Sequence, residues 1–300
     1  MNPLKNSLPL ALAVFSVLAV AFSIGCAKND PKPPVHDTVT VKNTDTVTKT
    51  DTLYATKPDP TVNLNKGLLV YLPFSGNIAD SSGNGNPTTS TGNVLTYDTH
   101  GYANSAFGAT GSGEKVYVQN NGSIILDTAF SLSFGVMLND NSTETYISMV
   151  DPVTGKGPSF IVGSTLLGYT KKIDVGVDDI SLGCGNYGTN DNVNIADSTG
   201  FIPNPGSWYN MIVIYHKGSL KFYVNGTLVS SKVGNGTQVL NCPNSQMIVG
   251  GWWNSDPQSF NGKMDNIRLY NRVLTTNEIA KLSSNYQITS NSVKPGLRNN

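Results

Sequence analysis

The sequence predicts an all-β fold: two antiparallel sheets packed as a sandwich, with one short C-terminal helix and an extended stalk in front. Three observations carry that expectation. Short segments alternate apolar with small or polar residues, as in Phe130-Ser131-Leu132-Ser133-Phe134, which is the period of a strand with one buried face. Turn signals separate these segments, and the chain holds 30 Gly among many Asn, Ser and Thr, as a fold of many short strands requires. A single strong helix signal stands near the end, where Thr275 and Glu278 have capping-box spacing.

The N-terminus reads as an address. Lys5 precedes an apolar run from Leu8 to Phe22 that ends at Ser23-Ile24-Gly25-Cys26. A basic start, a short apolar core and small residues before a cut make residues 1–25 a secretory signal. The Cys after the small residue resembles a bacterial lipobox, which makes Cys26 the lipidated mature N-terminus, although Ser23 stands where Leu is usual. An uncleaved anchor is the alternative, and the run is short for a span of ~20 apolar residues.

Residues 26–63 read as a Thr/Asp/Pro-rich tether. Asp37-Thr38-Val39-Thr40, Asp45-Thr46-Val47-Thr48 and Asp51-Thr52-Leu53 nearly repeat, and their alternate faces are too polar to bury. The Asp-Thr-Val and Asp-Thr-Leu triplets resemble an O-glycosylation signal of exported proteins in some Gram-negative bacteria. That resemblance implies glycan on Thr38, Thr46 and Thr52; a bare stalk is the alternative.

Residues 64–286 are the expected domain, and 287–300 a flexible tail. Strands are expected at Gly67–Phe74, Val116–Val118, Phe130–Leu138, Tyr146–Val150, Phe160–Val162 and Lys172–Asp178. Gly183–Gly200 reads as a long loop. Trp208–Tyr215 and Ser219–Val224 form a hairpin about Lys217-Gly218, and Asn225-Gly226 is a second turn, because both residues tolerate positive φ. Strands at Gln246–Gly250 and through Ile267–Leu269 follow, the last with Asp265 at its start.

Several stretches in order closely resemble a laminin G-like domain of the concanavalin A-like lectin/glucanase superfamily. They are Gly67-Leu68-Leu69-Val70-Tyr71-Leu72-Pro73-Phe74 with the loop Asn77–Asn86, then Trp208–Tyr215 and "YVNG" at Tyr223–Gly226. Phe260-Asn261-Gly262-Lys263-Met264-Asp265-Asn266-Ile267-Arg268-Leu269-Tyr270-Asn271-Arg272 ahead of the capped helix completes the set. The resemblance implies a jelly roll and, since the fold hosts lectins, hydrolases and adhesion modules, no particular activity. It places Trp208 at a strand start packing inward. It also implies a structural calcium ion held by Asp80 and Asp265, with Asn77 and Gly83 as weaker ligands, a chemistry that suits an oxygen-seeking cation. Caps and backbone amides are the alternative roles for those residues.

Charge narrows the function. Twenty basic residues balance twenty acidic ones and charged residues are 13 % of the chain, which argues against a nucleic-acid partner. Cys184 and Cys242 remain once Cys26 carries lipid; outside the cytoplasm an even pair permits a disulfide, with two buried thiols as the alternative. Glycosidases of the resembled superfamily need paired acids on one strand. The nearest match, Asp174-Val175-Gly176-Val177-Asp178-Asp179, lacks the Glu residues of that motif and reads better as a solvated edge or a loop entry. Among His36, His100 and His216 no Ser/His/Asp triad is apparent.

The expected role is therefore non-catalytic: a lipid-anchored lipoprotein of the outer membrane or cell surface, with a periplasmic-facing position as the alternative, that recognises glycan or polysaccharide in nutrient capture or adhesion. Trp252, Trp253, Asn254 and Tyr187 are the candidate ligand residues, because sugar sites place aromatic faces beside amide and hydroxyl partners; core or loop packing is the alternative for each. A protein–protein adhesion or scaffold module is the rival. A sugar site predicts a concave groove lined by Trp253 or Tyr187, and a protein site a flatter apolar patch.

Overall fold

A computed structural model describes residues 62–164, 172–187, 193–194 and 201–286. Contacts divide the chain into 1–57 and 58–300, and the described residues lie in the second unit. The signal sequence, Cys26, Thr38, Thr46, Thr52 and the 287–300 tail lie outside the described residues. Among the described residues no helix is long and apolar enough to cross a membrane.

Strands are numbered in chain order. The first sheet holds β1 (Leu68–Leu72), β3 (Leu95–Thr96), β4 (Ala106–Thr110), β6 (Ala129–Leu138), β11 (Trp208–His216), β12 (Ser219–Val224), β13 (Thr227–Val233) and β15 (Asn261–Tyr270). Its order is β13-β12-β11-β6-β15-β4-β3, with β1 also on β15. The second sheet holds β2 (Thr88–Thr91), β5 (Lys115–Val118), β7 (Thr145–Val150), β8 (Phe160–Gly163), β9 (Asp174–Val177), β10 (Val193–Asn194) and β14 (Gln246–Val249), in the order β10-β9-β8-β7-β14-β5-β2. All pairings are antiparallel. This is the two-sheet sandwich that the alternating segments predict.

The core between the sheets follows from that alternation. On β11, Met211, Val213 and Tyr215 face inward with Phe130, Phe134 and Phe160. The intervening Ile212 and Ile214 are buried too, because the outer face is covered by helix α1 (Thr276–Ser283). Leu274, Ile279 and Leu282 fill this second core, each contributing about 1.5–3 kcal/mol by burial. Thr275 caps α1 with the reciprocal Glu278 bonds that the spacing predicts. Asn225 and Gly226 adopt φ of 49° and 80° at the β12–β13 turn, the left-handed pair that a tight hairpin needs.

Strand β15 joins the two ends of the domain. It pairs with β6 along one edge. Along the other, its first half meets β4 and its second half meets β1. Asp265 therefore lies within the strand, at a register shift where Asn266 takes φ 51°, and not at its start as expected. Trp208 also departs from expectation: it is half-buried and its ring faces Tyr286 at 6.2 Å, on the α1 side of the sheet. The Lys172–Asp178 strand shortens to β9, and Asp174 and Asp178 are 0 % and 5 % exposed, so this is no solvated edge, although Asp178 does stand at the entry to the following loop. Strands β2, β3 and β4 were not expected. Thr88–Thr91 is polar and mostly exposed, which is an edge strand without an apolar face to announce it.

Candidate functional site

An open concavity of ≈ 560 Å³ among the described residues is lined by Gln119, Asn120, Asp151, Thr154, Asn244 and Gln246, with neighbouring Pro, Val and Ser. Its walls come from four places: the end of β5, the β7–β8 turn, the segment after Cys242, and the start of β14. The β7–β8 turn is built by Asp151, whose Oδ1 accepts from the amides of Val153 and Thr154 at 2.9 and 3.2 Å. The Gly155 amide closes the turn on the Asp151 carbonyl. Asn120 is committed to its own loop, accepting from the Gly122 and Ile124 amides and donating to the Ile124 carbonyl. By contrast, no hydrogen bond among the described residues uses the side-chain amides of Gln119, Asn244 or Gln246.

Each of those amides offers both donors and acceptors. Asp151 is the only charged residue in the lining. The cavity is thus polar, uncharged on most sides and hydrogen-bonding in both senses. That chemistry matches a neutral, hydroxyl-rich ligand and gives little hold on an anion.

The expected ligand residues gather beside this cavity without lining it. Trp253 is half-buried and packs on Gly155, where φ is 69° and an added Cβ would sit 3.0 Å from the indole. Asn254 is exposed and its amide donates to the Pro152 carbonyl at 2.9 Å. Tyr187 is 54 % exposed, with Lys156 Nζ 5.3 Å from its ring centre. Trp252 is half-buried, and its main-chain amide donates to Asp256 Oδ2 at 2.6 Å. Asp256, buried and also accepting from the Gln258 amide, is what folds this tryptophan loop. The disulfide Cys184–Cys242 lies between, with Cα atoms 5.5 Å apart, and Gly157 donates to the Asn186 carbonyl beside it. The three residue groups that sequence kept apart, around 151–157, 184–187 and 252–256, are therefore neighbours.

The residues expected to hold calcium are placed differently. Asp80 accepts from the Tyr71 and Ser82 amides, Ser82 Oγ and Asn86 Nδ2, at 2.7–3.0 Å. Asn77 accepts from the Ala79 amide within its own turn, and Gly83 is a positive-φ residue of that loop. Asp265 is buried and accepts from the main-chain and side-chain amides of Asn266 at 2.6 and 2.9 Å. Burial, with Asp98 nearby, pushes its carboxyl up to about 7 although the Asn266 bonds pull the other way. The link from Asp80 to Asp265 is a relay, in which Tyr71 Oη donates to Asn266 Oδ1 at 3.2 Å. Asp80 thus accepts from four donors. Among the described residues no cluster of three or more His, Cys, Asp or Glu is disposed to hold a metal.

The acids weighed for catalysis do not meet over the cavity. Asp179 caps the 3₁₀ turn Ile180–Leu182 and accepts from the Thr237 and Gln238 amides. Burial alone would raise its carboxyl, but these amide bonds hold it below the ordinary range.

Comparisons with known proteins follow the fold. No curated protein sequence matches the chain. Domain 4 of AbnA, a GH43 extracellular arabinanase from Geobacillus stearothermophilus, solved with arabinotriose, superposes with TM-score 0.52 at 20 % identity over 72 % of this chain and 98 % of that one. The botulinum neurotoxin serotype D ligand binding domain, solved with N-acetylneuraminic acid, superposes with TM-score 0.54 at 16 % identity over 74 % and 52 %. The binding domain of Paraclostridial Mosquitocidal Protein 1 gives 0.55 at 18 % over 75 % and 53 %. The chain spans about half the length of the toxin domains it matches, and at these identities the likeness is one of fold. Residues 110–280 match the model of a single family. By that match and by its two-sheet jelly roll, the chain belongs to the laminin G-like family Laminin_G_3 of the concanavalin A-like lectin/glucanases superfamily.

Proposed function

We propose that this domain is a non-catalytic carbohydrate-binding module that takes a neutral glycan or polysaccharide in the cavity between the β5 end, the β7–β8 turn and the β14 start. The observation that carries the reading is the convergence of three unengaged amides, Gln119, Asn244 and Gln246, on one concave, almost uncharged surface. Sugar hydroxyls need partners that both donate and accept, and amides supply both. Trp253 shapes the β7–β8 turn from behind, and Tyr187 offers an exposed ring for a longer chain. Two structural neighbours, solved with arabinotriose and with N-acetylneuraminic acid, support a sugar ligand of some kind. The lone carboxylate Asp151 supports the non-catalytic part of the reading, since glycoside hydrolysis needs two acids flanking the bond.

The same proposal holds the module at the cell envelope by lipid on Cys26, with residues 26–63 as a spacer. Cys26→Ser is expected to move the protein from the membrane to the soluble fraction; retention of that variant in the membrane would remove the anchor.

The direct test is a glycan array followed by titration calorimetry with the neutral oligosaccharides that score. Asn244→Ala with Gln246→Ala should weaken binding about tenfold or more, each lost bond contributing about 1 kcal/mol. Trp253→Ala should weaken it less, and an anionic sugar should bind poorly. A blank array with a folded protein, or full affinity in the double variant, would overturn the cavity assignment and favour a protein partner.

A further inference from the structure

The outer face of the first sheet carries a second cavity, formed by none of the residues that line the amide-rich one. It measures ≈ 190 Å³ and lies between the sheet and the segment of α1 with the 3₁₀ turn Ser284–Tyr286. Strand register builds its floor. Tyr71, Arg268, Ser133 and Ile212 pair side by side across β1, β15, β6 and β11. Ile212 belongs to the outer core under α1, so the whole row faces outward. Leu64, Leu282 and Tyr286 contribute to the walls. The Tyr286 ring lies so close on Gly135 that no Cβ fits there, which seats this tyrosine deep against the sheet.

The lining holds two charges, Arg268 and Lys281, and both are positive. Arg268 is half-buried, and its guanidinium carbon sits 3.9 Å from the Tyr71 ring centre. Tyr71 is fixed in turn, its Oη donating to Asn266 Oδ1 at 3.2 Å. Such stacking holds a guanidinium flat and leaves the N–H groups of its edge for an acceptor. No ion pair or hydrogen bond among the described residues uses the Arg268 guanidinium or the Lys281 ammonium. The acids of their own elements are engaged elsewhere. Asp265 of β15 accepts from both amides of Asn266, and Glu278 of α1 is paired with Arg272. Two neutral donors remain in the lining. Ser133 Oγ accepts from Asn210 Nδ2 at 3.3 Å and keeps its own proton to give. The side-chain amide of the exposed Asn285 has no partner among the described residues.

Two cations that share a concave wall with no carboxylate between them repel each other, and an anion placed there removes that cost. We propose that this cavity binds the phosphate of a small phosphate monoester, with Arg268 as the forked ligand, Lys281 as the second charge, and Ser133 and Asn285 as neutral donors. A phosphate monoester carries nearly two negative charges at neutral pH, which matches two cations where a carboxylate would match one. The guanidinium supplies paired, parallel N–H groups and the ammonium a point charge, the two forms in which proteins hold phosphate. The cavity is smaller than the roughly 300–1,000 Å³ of sites for drug-sized ligands, so the organic part is small, and Leu64 and Leu282 offer it an apolar edge. The site shares no residue with the glycan cavity and does not depend on it.

The test is titration calorimetry of the whole protein at low salt with glycerol phosphate, inorganic phosphate, acetate and glycerol. Glycerol phosphate should bind at least as tightly as inorganic phosphate, acetate should bind at least tenfold more weakly, and glycerol should give no heat. Arg268→Gln should weaken glycerol phosphate at least tenfold, because it removes the fork. Lys281→Gln should weaken it severalfold, less because this ammonium is exposed. That second variant changes an exposed helical position without a side-chain partner, so it keeps the test decisive if Arg268→Gln does not fold. Asn244→Ala with Gln246→Ala should leave phosphate binding unchanged, which separates failure here from failure of the glycan reading. No heat from either phosphate, acetate binding as tightly as phosphate, or full affinity in folded Lys281→Gln would each overturn the assignment. Competition by phosphatidate vesicles, absent with phosphatidylcholine, would transfer the phosphate to a lipid headgroup and overturn the small-molecule ligand.

Discussion

Arg272→Ala is expected to destabilise the domain by about 3–5 kcal/mol, a fall in Tm of roughly 10 °C. Arg272 makes a two-pronged pair with Glu278, Nη1 to Oε2 at 2.7 Å and Nη2 to Oε1 at 2.8 Å, and both side chains are largely buried. The same guanidinium donates to the carbonyls of Asn63, Lys66 and Val273. It thus ties the residues before β1 to the end of β15 and to the N-terminus of α1. Removing it strands a buried carboxylate, which is the costly way to break such a pair. Arg272→Lys keeps the charge and loses the fork, so it should recover only part of the loss.

Acid titration reads the same pair from the other side. Burial works against Glu278 ionising, but the Arg272 hydrogen bonds, the Thr275 amide and the Arg272 charge outweigh it and hold the carboxyl at about 2. An unfolded glutamate titrates near ~4.3. The folded value is the lower one, so this stabilisation, about 3 kcal/mol, is complete above roughly pH 5 and drains as the pH falls towards 2. In Glu278→Gln the melting temperature should lie below wild type at pH 7 and fall less steeply between pH 5 and 2. Parallel slopes for the two proteins would mean that Glu278 is not held ionised by Arg272.

What could be read ahead of the structure follows physical contrast. Strands β6 and β12 were legible because one face is apolar and the other is not, and β7 and β11 because they are apolar runs between turn signals. The α1 cap was legible because Thr275 and Glu278 satisfy each other locally. Strands β2, β3 and β10 were not, since short polar segments at sheet edges take their conformation from a neighbour. Asp265 was misplaced within its strand because the extra residue of a bulge leaves no mark on an apolar pattern.

The candidate site was half legible. Trp253, Asn254 and Tyr187 were chosen for their chemistry, and they do surround the β7–β8 turn. The cavity beside them is lined by Gln119, Asn244 and Gln246, isolated amides from two distant segments. Nothing local distinguishes such an amide from one on an ordinary turn; only the sheet order, which sets β5 and β7 on either side of β14, brings them together.

Replacing Cys184 and Cys242 with Ser is expected to cost about 4 kcal/mol. The bridge closes a loop across 58 residues, and the chain-entropy estimate for a closure of that length is about 4 kcal/mol, gained by restricting the unfolded chain. The folded segments are already aligned without it: the Leu240 amide donates to the Asp178 carbonyl and the Ile180 amide to the Gln238 carbonyl, while Asp179 accepts from residues 237 and 238. The double variant should therefore fold to the same β-rich circular dichroism spectrum and melt roughly 10 °C lower. The bridge also anchors the start of the segment that carries Asn244 and Gln246 into the cavity. If those amides hold sugar, affinity should fall with the bridge while the spectrum stays the same. A variant that melts lower but binds normally would separate the two roles, leaving the disulfide as a brake on unfolding and the cavity wall positioned by the ladder bonds of β14 alone.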